Sequence, residues 1–247
     1  MDQPAKRPAR RLTVAYDMLG LPRWPKPVRA LLLLLLLLLV LPYLIVPFYA
    51  FGEPVSTVMV WRRVVGERVE RTYLPLSRIA PTLPLAVIVA EDGRFCTHHG
   101  VDFAEIRNAI SQADDLDDMR GGSTITQQLA KNLFLWPGHS YVRKALEFPL
   151  ALWIDLILPK RRILEIYLNV AEWGPNGEFG IEEGAKRAFG TPARALSRYQ
   201  AAMLAAMLPN PHARDARRPG PLLRYLTGLY VARSAQAAGS AACLKAR

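Results

Sequence analysis

The chain has 247 residues, 51% of them hydrophobic and 21% charged, and its 32 Lys+Arg against 21 Asp+Glu give a formal net charge of +11. This composition excludes a disordered or collagen-like chain, and the two cysteines, Cys96 and Cys243, allow one disulfide at most. The cation excess points to an anionic partner, whether nucleic acid, anionic lipid or a phosphorylated substrate, and its position along the chain separates these.

Seven cations (Lys6, Arg7, Arg10, Arg11, Arg23, Lys26 and Arg29) precede residue 30, against only Asp2 and Asp17. Ala30 to Phe51 then run without a charge and begin with the leucines 31–39. A bilayer core of about 30 Å takes about 20 such residues in a helix. The basic flank places the N-terminus in the cytoplasm, and Tyr43, Phe48 and Tyr49 suit the far interface. A cleaved signal peptide would have an apolar run of about 7–15 residues and a small-residue cleavage site, for which Ala50-Phe51-Gly52 is a poor candidate. The expected organisation is a cytoplasmic basic arm (1–29), a membrane anchor (30–51) and one soluble domain (52–247) outside the cytoplasm.

Val55 to Val69 is rich in β-branched residues and reads as a short hairpin or connector. From Leu74 the pattern is helical. Asp102 with Glu105 makes a capping box for a helix over Phe103–Gln112, and Thr124 with Gln127 opens another that reaches Leu135. Ser140 caps a helix through Leu158, within which Pro149 removes a backbone donor and is expected to kink the chain. Ile163, Leu164, Ile166, Tyr167 and Val170 keep the helical period, and Ser197 with Gln200 caps Ala201–Leu208. The domain is mainly α.

Four clusters carry chemistry. Glu91 and Asp92 follow the apolar run Leu83–Ala90, so Glu91 closes a buried helix, where desolvation raises a carboxylate toward the range of a general base. His98 and His99 point different ways on a helix, and the absence of HExxH or CxxC spacing argues against zinc. In the second cluster, Gly121-Gly122-Ser123-Thr124 before a helix offers free backbone N–H groups to phosphate oxygens, and Gln128, Lys131 and Asn132 follow on that helix. Read alone, such a turn is a capped loop. In the third, Arg143 and Lys144 precede Glu147 by four and three residues, which is also the spacing of a helical ion pair. The fourth runs from Lys160 to Asn169, where Glu165 reads as structural. Asp114 to Asp118 lacks the Gly and Glu of a calcium loop and reads as solvated.

In this order the segments EDGRFCTHHG, GGSTITQQLAKNLFL, RKALE, KRRILEIYLNVAEWG and SRYQAAMLAAMLPNP resemble the peptidoglycan glycosyltransferase family, over Glu91 to Pro211. The likeness is to its monofunctional branch. The companion penicillin-binding module needs Ser-x-x-Lys and Lys-Thr-Gly, which this sequence lacks. The resemblance implies a lysozyme-like, mainly α glycosyltransferase domain behind one transmembrane helix in the cell inner membrane, with its motif-matched core at 85–211 in the periplasm. It implies polymerisation of lipid II into β-1,4-linked strands with inversion and release of undecaprenyl diphosphate. The partners it implies are lipid II, the lipid-linked chain, the membrane and other wall-synthesis proteins, and not nucleic acid.

The family's roles then fall on Glu91 as base and Glu147 as second catalytic acid. Asp92, Ser123, Gln128, Lys131, Asn132, His139 and Arg143 would bind substrate. No cofactor is required by the sequence, although a divalent cation (Mg or Mn) bridging the pyrophosphate fits the family. Four positions depart from its pattern: His139 for an arginine, Pro149 within the Glu147 helix, Gly184 for an alanine, and Gln200 for a glutamate. A lytic glycan-cleaving enzyme of lysozyme type and a non-catalytic scaffold of wall synthesis are the alternatives. Neither needs a base, a phosphate-binding turn and a lipid anchor together.

Overall fold

A computed structural model describes residues 25–112, 122–138 and 140–245. Helix α1 (Lys26–Ile45) carries the leucine run and continues as a 3-10 turn, Val46–Ala50. Lys26–Ala50 is long and apolar enough to cross a membrane, with a mean hydropathy of 2.9. Contacts divide the chain between Leu41 and Pro42. The second unit therefore starts inside the charge-free stretch, ten residues before the boundary expected at residue 52. Chemistry explains the shift: Trp153 Nε1 donates to the Tyr43 carbonyl (3.0 Å), Arg162 Nε to that of Tyr49 (2.9 Å), and Val46 is fully buried.

The β-rich expectation for Val55–Val69 fails, because Thr57–Val64 is a helix, α2. Ser56 Oγ caps it by accepting from Met59 N–H (3.1 Å), Met59 is fully buried, and Thr57 Oγ1 donates to the Leu135 carbonyl (2.6 Å). A cap and a buried anchor outweigh the modest β preference of valine and threonine. Among the described residues the strands are two-residue pieces, β1 (Glu70–Arg71) parallel to β2 (Glu178–Phe179), with Glu70 opposite Glu178 and Arg71 opposite Phe179.

The rest is helical: α3 (Thr82–Glu91), α4 (Phe103–Gln112), α5 (Ile125–Phe134), α6 (Tyr141–Ile157), α7 (Lys160–Val170), α8 (Ile181–Phe189), α9 (Arg198–Met207) and α10 (Pro221–Gln236). Helices α3, α9 and α10 pack together, and α5 packs on α6 and α7. Both groups share one core, which includes Leu83, Ile88, Leu129, Ile163, Leu164 and Leu204. The expected capping boxes of Thr124 with Gln127 and Ser197 with Gln200 are both closed in each direction. At α4 the Asp102 half is present, Oδ1 accepting from Ala104 and Glu105 N–H.

Pro149 does not interrupt α6. The carbonyl that loses its donor belongs to Ala145; both residues are exposed, so water can serve it. Gly184 is a packing device: a Cβ there would lie 2.5 Å from Trp173 Cβ, and Trp173 is buried.

Candidate active site

Helix α3 is apolar from Leu83 to Ala90 and ends on Glu91, after which Asp92 leaves the helical conformation (φ −161°, ψ 72°). The chain leaves the helix there because Asp92 bonds elsewhere. Its Oδ2 accepts from the N–H of Ile125 (3.0 Å), the first residue of α5, and His98 Nε2 contacts both oxygens at 2.8 and 3.0 Å. The clasp joins the C-terminal end of α3 to the N-terminal end of α5, where a carboxylate is favoured. Asp92 is buried, and both of its oxygens serve this clasp. His99 points outward and approaches Asp155 at 3.6 Å, so the adjacent histidines do diverge.

The loop after Asp92 is fastened on several sides. Phe95 is fully buried beneath Lys160 Nζ, 4.7 Å from its ring centre. Cys96 is disulfide-bonded to Cys243, a pairing that the sequence left open. Gly100, at φ +78°, lies against the Ala151 carbonyl, where any Cβ would collide, and its own carbonyl accepts from Thr124 Oγ1 (2.5 Å).

Glu91 itself stays free of the clasp. Gln128 Nε2, one turn into α5, donates to Glu91 Oε2 (2.8 Å). Burial pushes the Glu91 carboxyl upward and outweighs the opposing pull of Gln128, Arg214 and Lys131, while the Asp92 charge adds to the rise. The expected elevation of a desolvated helix-end carboxylate is thus present. Beside Glu91 a cleft of about 350 Å³ opens, with Arg94, Glu105, Ser123 and Arg233 also on its walls.

On the other side of Ser123 lies a crowded set of cations. Lys144 Nζ donates to Ser123 Oγ (2.7 Å) and to Glu147 Oε2 (3.0 Å), and Arg143 donates to Glu147 Oε1. The Arg143–Glu147 pair, expected as a possible surface ion pair, is buried: Arg143 is 8% exposed and Glu147 2%. Arg143 Nε is also enclosed without a partner among the described residues. Burial lowers Lys144 to about 8, helped by the charges of Arg143 and Lys131. Lys131 is lowered for the same reasons, burial first and Arg143 second, against a raising pull from Glu91. Three cations thus repel one another, two of them holding Glu147 and the third, Lys131, feeling the Glu91 charge, an arrangement that stabilises an incoming anion.

Seven of the expected site residues fall in this region: Glu91, Asp92, Ser123, Gln128, Lys131, Arg143 and Glu147. Asn132 lies on α5 one turn beyond Gln128, and its carbonyl accepts from Thr57 Oγ1 (3.2 Å). His139, Gly121 and the acidic run Asp114 to Asp118 lie outside the described residues. Sequence reasoning missed the far wall. Arg214 lies close enough to favour the charged Glu91, Tyr230 on α10 is raised by burial and by the Glu91 charge, and Arg233 reaches the cleft. Glu165 is structural, as expected: it accepts from Leu76 N–H (2.8 Å) and Tyr73 Oη (3.1 Å) and pairs with Arg162.

Residues 58–233 match the family described as Transglycosylase. The chain is 55% identical over 194 residues to the biosynthetic peptidoglycan transglycosylase of Nitrobacter hamburgensis, covering 78% of this chain and 86% of that one. It is 56% identical over 213 residues to the protein of that name from Rhodopseudomonas palustris, covering 86% and 90%. For the one from Agrobacterium fabrum the identity is 47% over 218 residues, covering 87% and 96%.

Proposed function

The chain belongs to the transglycosylase family and is a lysozyme-like glycosyltransferase that polymerises peptidoglycan strands for the cell wall, and on that premise we propose how its side chains divide the reaction. The acceptor is lipid II and the donor a lipid-linked growing strand. Glu91 takes the proton from the acceptor 4-hydroxyl, a poor nucleophile until deprotonated. The hydroxyl oxygen attacks the donor's anomeric carbon on the face opposite the pyrophosphate. The bond to the pyrophosphate oxygen breaks, and the configuration inverts to a β-1,4 linkage. Undecaprenyl diphosphate leaves with the electron pair, and Lys131, Arg143 and Lys144 stabilise its growing charge.

The observation that carries this division is the mutually repelling cluster of buried Arg143 and half-buried Lys131 and Lys144 next to a desolvated Glu91. Glu147 acts through the cations it holds. Both of its oxygens are taken by Arg143 and Lys144, and no grouping of three or more His, Cys, Asp or Glu is present among the described residues, so Glu147 is read as holding these two cations rather than a divalent cation. No step is routed through one. Ser123 borders the same region from the turn, through its bond with Lys144.

The reading includes a single-pass protein of the cell inner membrane, with the basic arm in the cytoplasm and the catalytic unit in the periplasm. The charge-free helix behind a basic flank supports it, as does the Cys96–Cys243 bond, which suits an oxidising compartment. Labelled lipid II supplied to the purified protein tests the assignment. Lipid-linked polymer with released undecaprenyl diphosphate is the expected product. Cleavage of finished glycan without polymer would overturn the reading.

A further inference from the structure

The base is held by a hydrogen-bonded chain that begins outside the cleft. Gln128 Nε2 donates to Glu91 Oε2 at 2.8 Å, and the hydroxyl of Tyr167 on α7 donates to Gln128 Oε1, also at 2.8 Å. Tyr167 is 1% exposed, and burial holds its phenol far above its ordinary range, so it keeps its proton. A side-chain amide has two orientations of equal shape that exchange a donor for an acceptor. In one, Gln128 offers N–H to the ionised base. In the other, it turns an oxygen toward a carboxylate that can only accept.

We propose that Tyr167 is a positioning residue which, by donating to Gln128 Oε1, fixes the amide with its N–H toward Glu91 and so sets the protonation of the base. The proposal rests on the reading of Glu91 as general base. Tyr167 touches neither substrate nor reacting atom, and its effect passes through one amide.

The other groups facing Glu91 stay in place when Tyr167 changes. They are Asp92 beside it in the chain, Lys131 on α5, Arg214 in the segment after α9, Tyr230 on α10 and, on the walls of the cleft, Arg94, Asp102, Glu105 and Arg233. Donation from Gln128 favours the charged carboxylate, so its loss raises the pKa of the base. The rate then needs a higher pH to reach its plateau.

Full-length Tyr167→Phe with labelled lipid II tests this across pH. The expected result is a kcat about ten-fold lower, equivalent to one hydrogen bond to a charged group. KM stays unchanged, and the acidic limb of the kcat profile moves to higher pH. In a Gln128→Leu background the same substitution adds nothing, because the chain is already cut. Fluorotyrosine at 167, a stronger donor of nearly the same shape, moves the limb the other way and serves if phenylalanine impairs folding. The carboxylate band of Glu91, read by infrared difference against Glu91→Gln, gives the same pKa without turnover. A wild-type protein that makes no polymer would refute the reading of the base. A wild-type protein that polymerises while Tyr167→Phe keeps its kcat, its acidic limb and its infrared pKa would refute the relay.

Discussion

At the residue scale, the site is a problem of charge placed where water is scarce. Glu91 must be ionised to act, and burial raises its pKa, so turnover climbs as pH rises through a value above the ordinary carboxylate range. Lys144 must be protonated to hold a departing pyrophosphate, and its pKa is near 8, so turnover falls as pH passes that value. The expected kcat profile is therefore a bell. Lys144→Met should cost about 10²-fold in kcat and move the alkaline limb upward; a limb that stays near 8 would show that another group sets it. Glu91, Lys131, Arg143 and Glu147 were legible because helix ends and three- and four-residue spacings are local. Arg214, Tyr230 and Arg233 were not, because only the segment after α9 and the packing of α10 against α3 and α9 bring them to the region of Glu91. The inward clasp of Asp92 was equally hidden, since its partner Ile125 lies 33 residues away.

At the element scale, caps decided what could be read. Thr124 and Ser197 announced α5 and α9 through side chains that bond within four residues, whereas valines drew attention to a hairpin where Ser56 caps a helix. Helix α10 went unread because its apolar and polar residues are not segregated on separate faces, and it starts from Gly220 with no side-chain cap. Thr124→Ala removes the α5 cap and the bond to the Gly100 carbonyl together. It should cost about 1–2 kcal/mol, read as a lower midpoint in thermal or denaturant unfolding. Gly184→Ala overfills the space held by Trp173 and should cost about 1–3 kcal/mol. An unchanged midpoint would mean that Trp173 has room to move. Helix α6 runs on through Pro149 because a missing N–H matters less on a face open to water.

At the scale of the whole molecule, the surplus of +11 divides between the stretch before residue 30, with seven cations against two acids, and the folded unit that carries Lys131, Arg143 and Lys144. The length of the apolar stretch was plain in the sequence. Where the folded unit begins was not, since Tyr43, Val46 and Tyr49 look like anchor until their contacts are seen. A chain starting at Pro42 should keep the unfolding midpoint of the catalytic unit, and one starting at Glu53 should lose several degrees. Cys243→Ser frees the C-terminal segment from the loop after Glu91. It should cost about 2–4 kcal/mol, and an unaltered midpoint would mean that packing alone holds that segment. The central claim is that Glu91 is the base of a polymerase, and labelled lipid II given to the wild-type protein and to Glu91→Gln tests it most directly. Long lipid-linked strands are expected from the wild type, and a rate at least about 10²-fold lower from the variant. Equal polymerisation by the two proteins would contradict it.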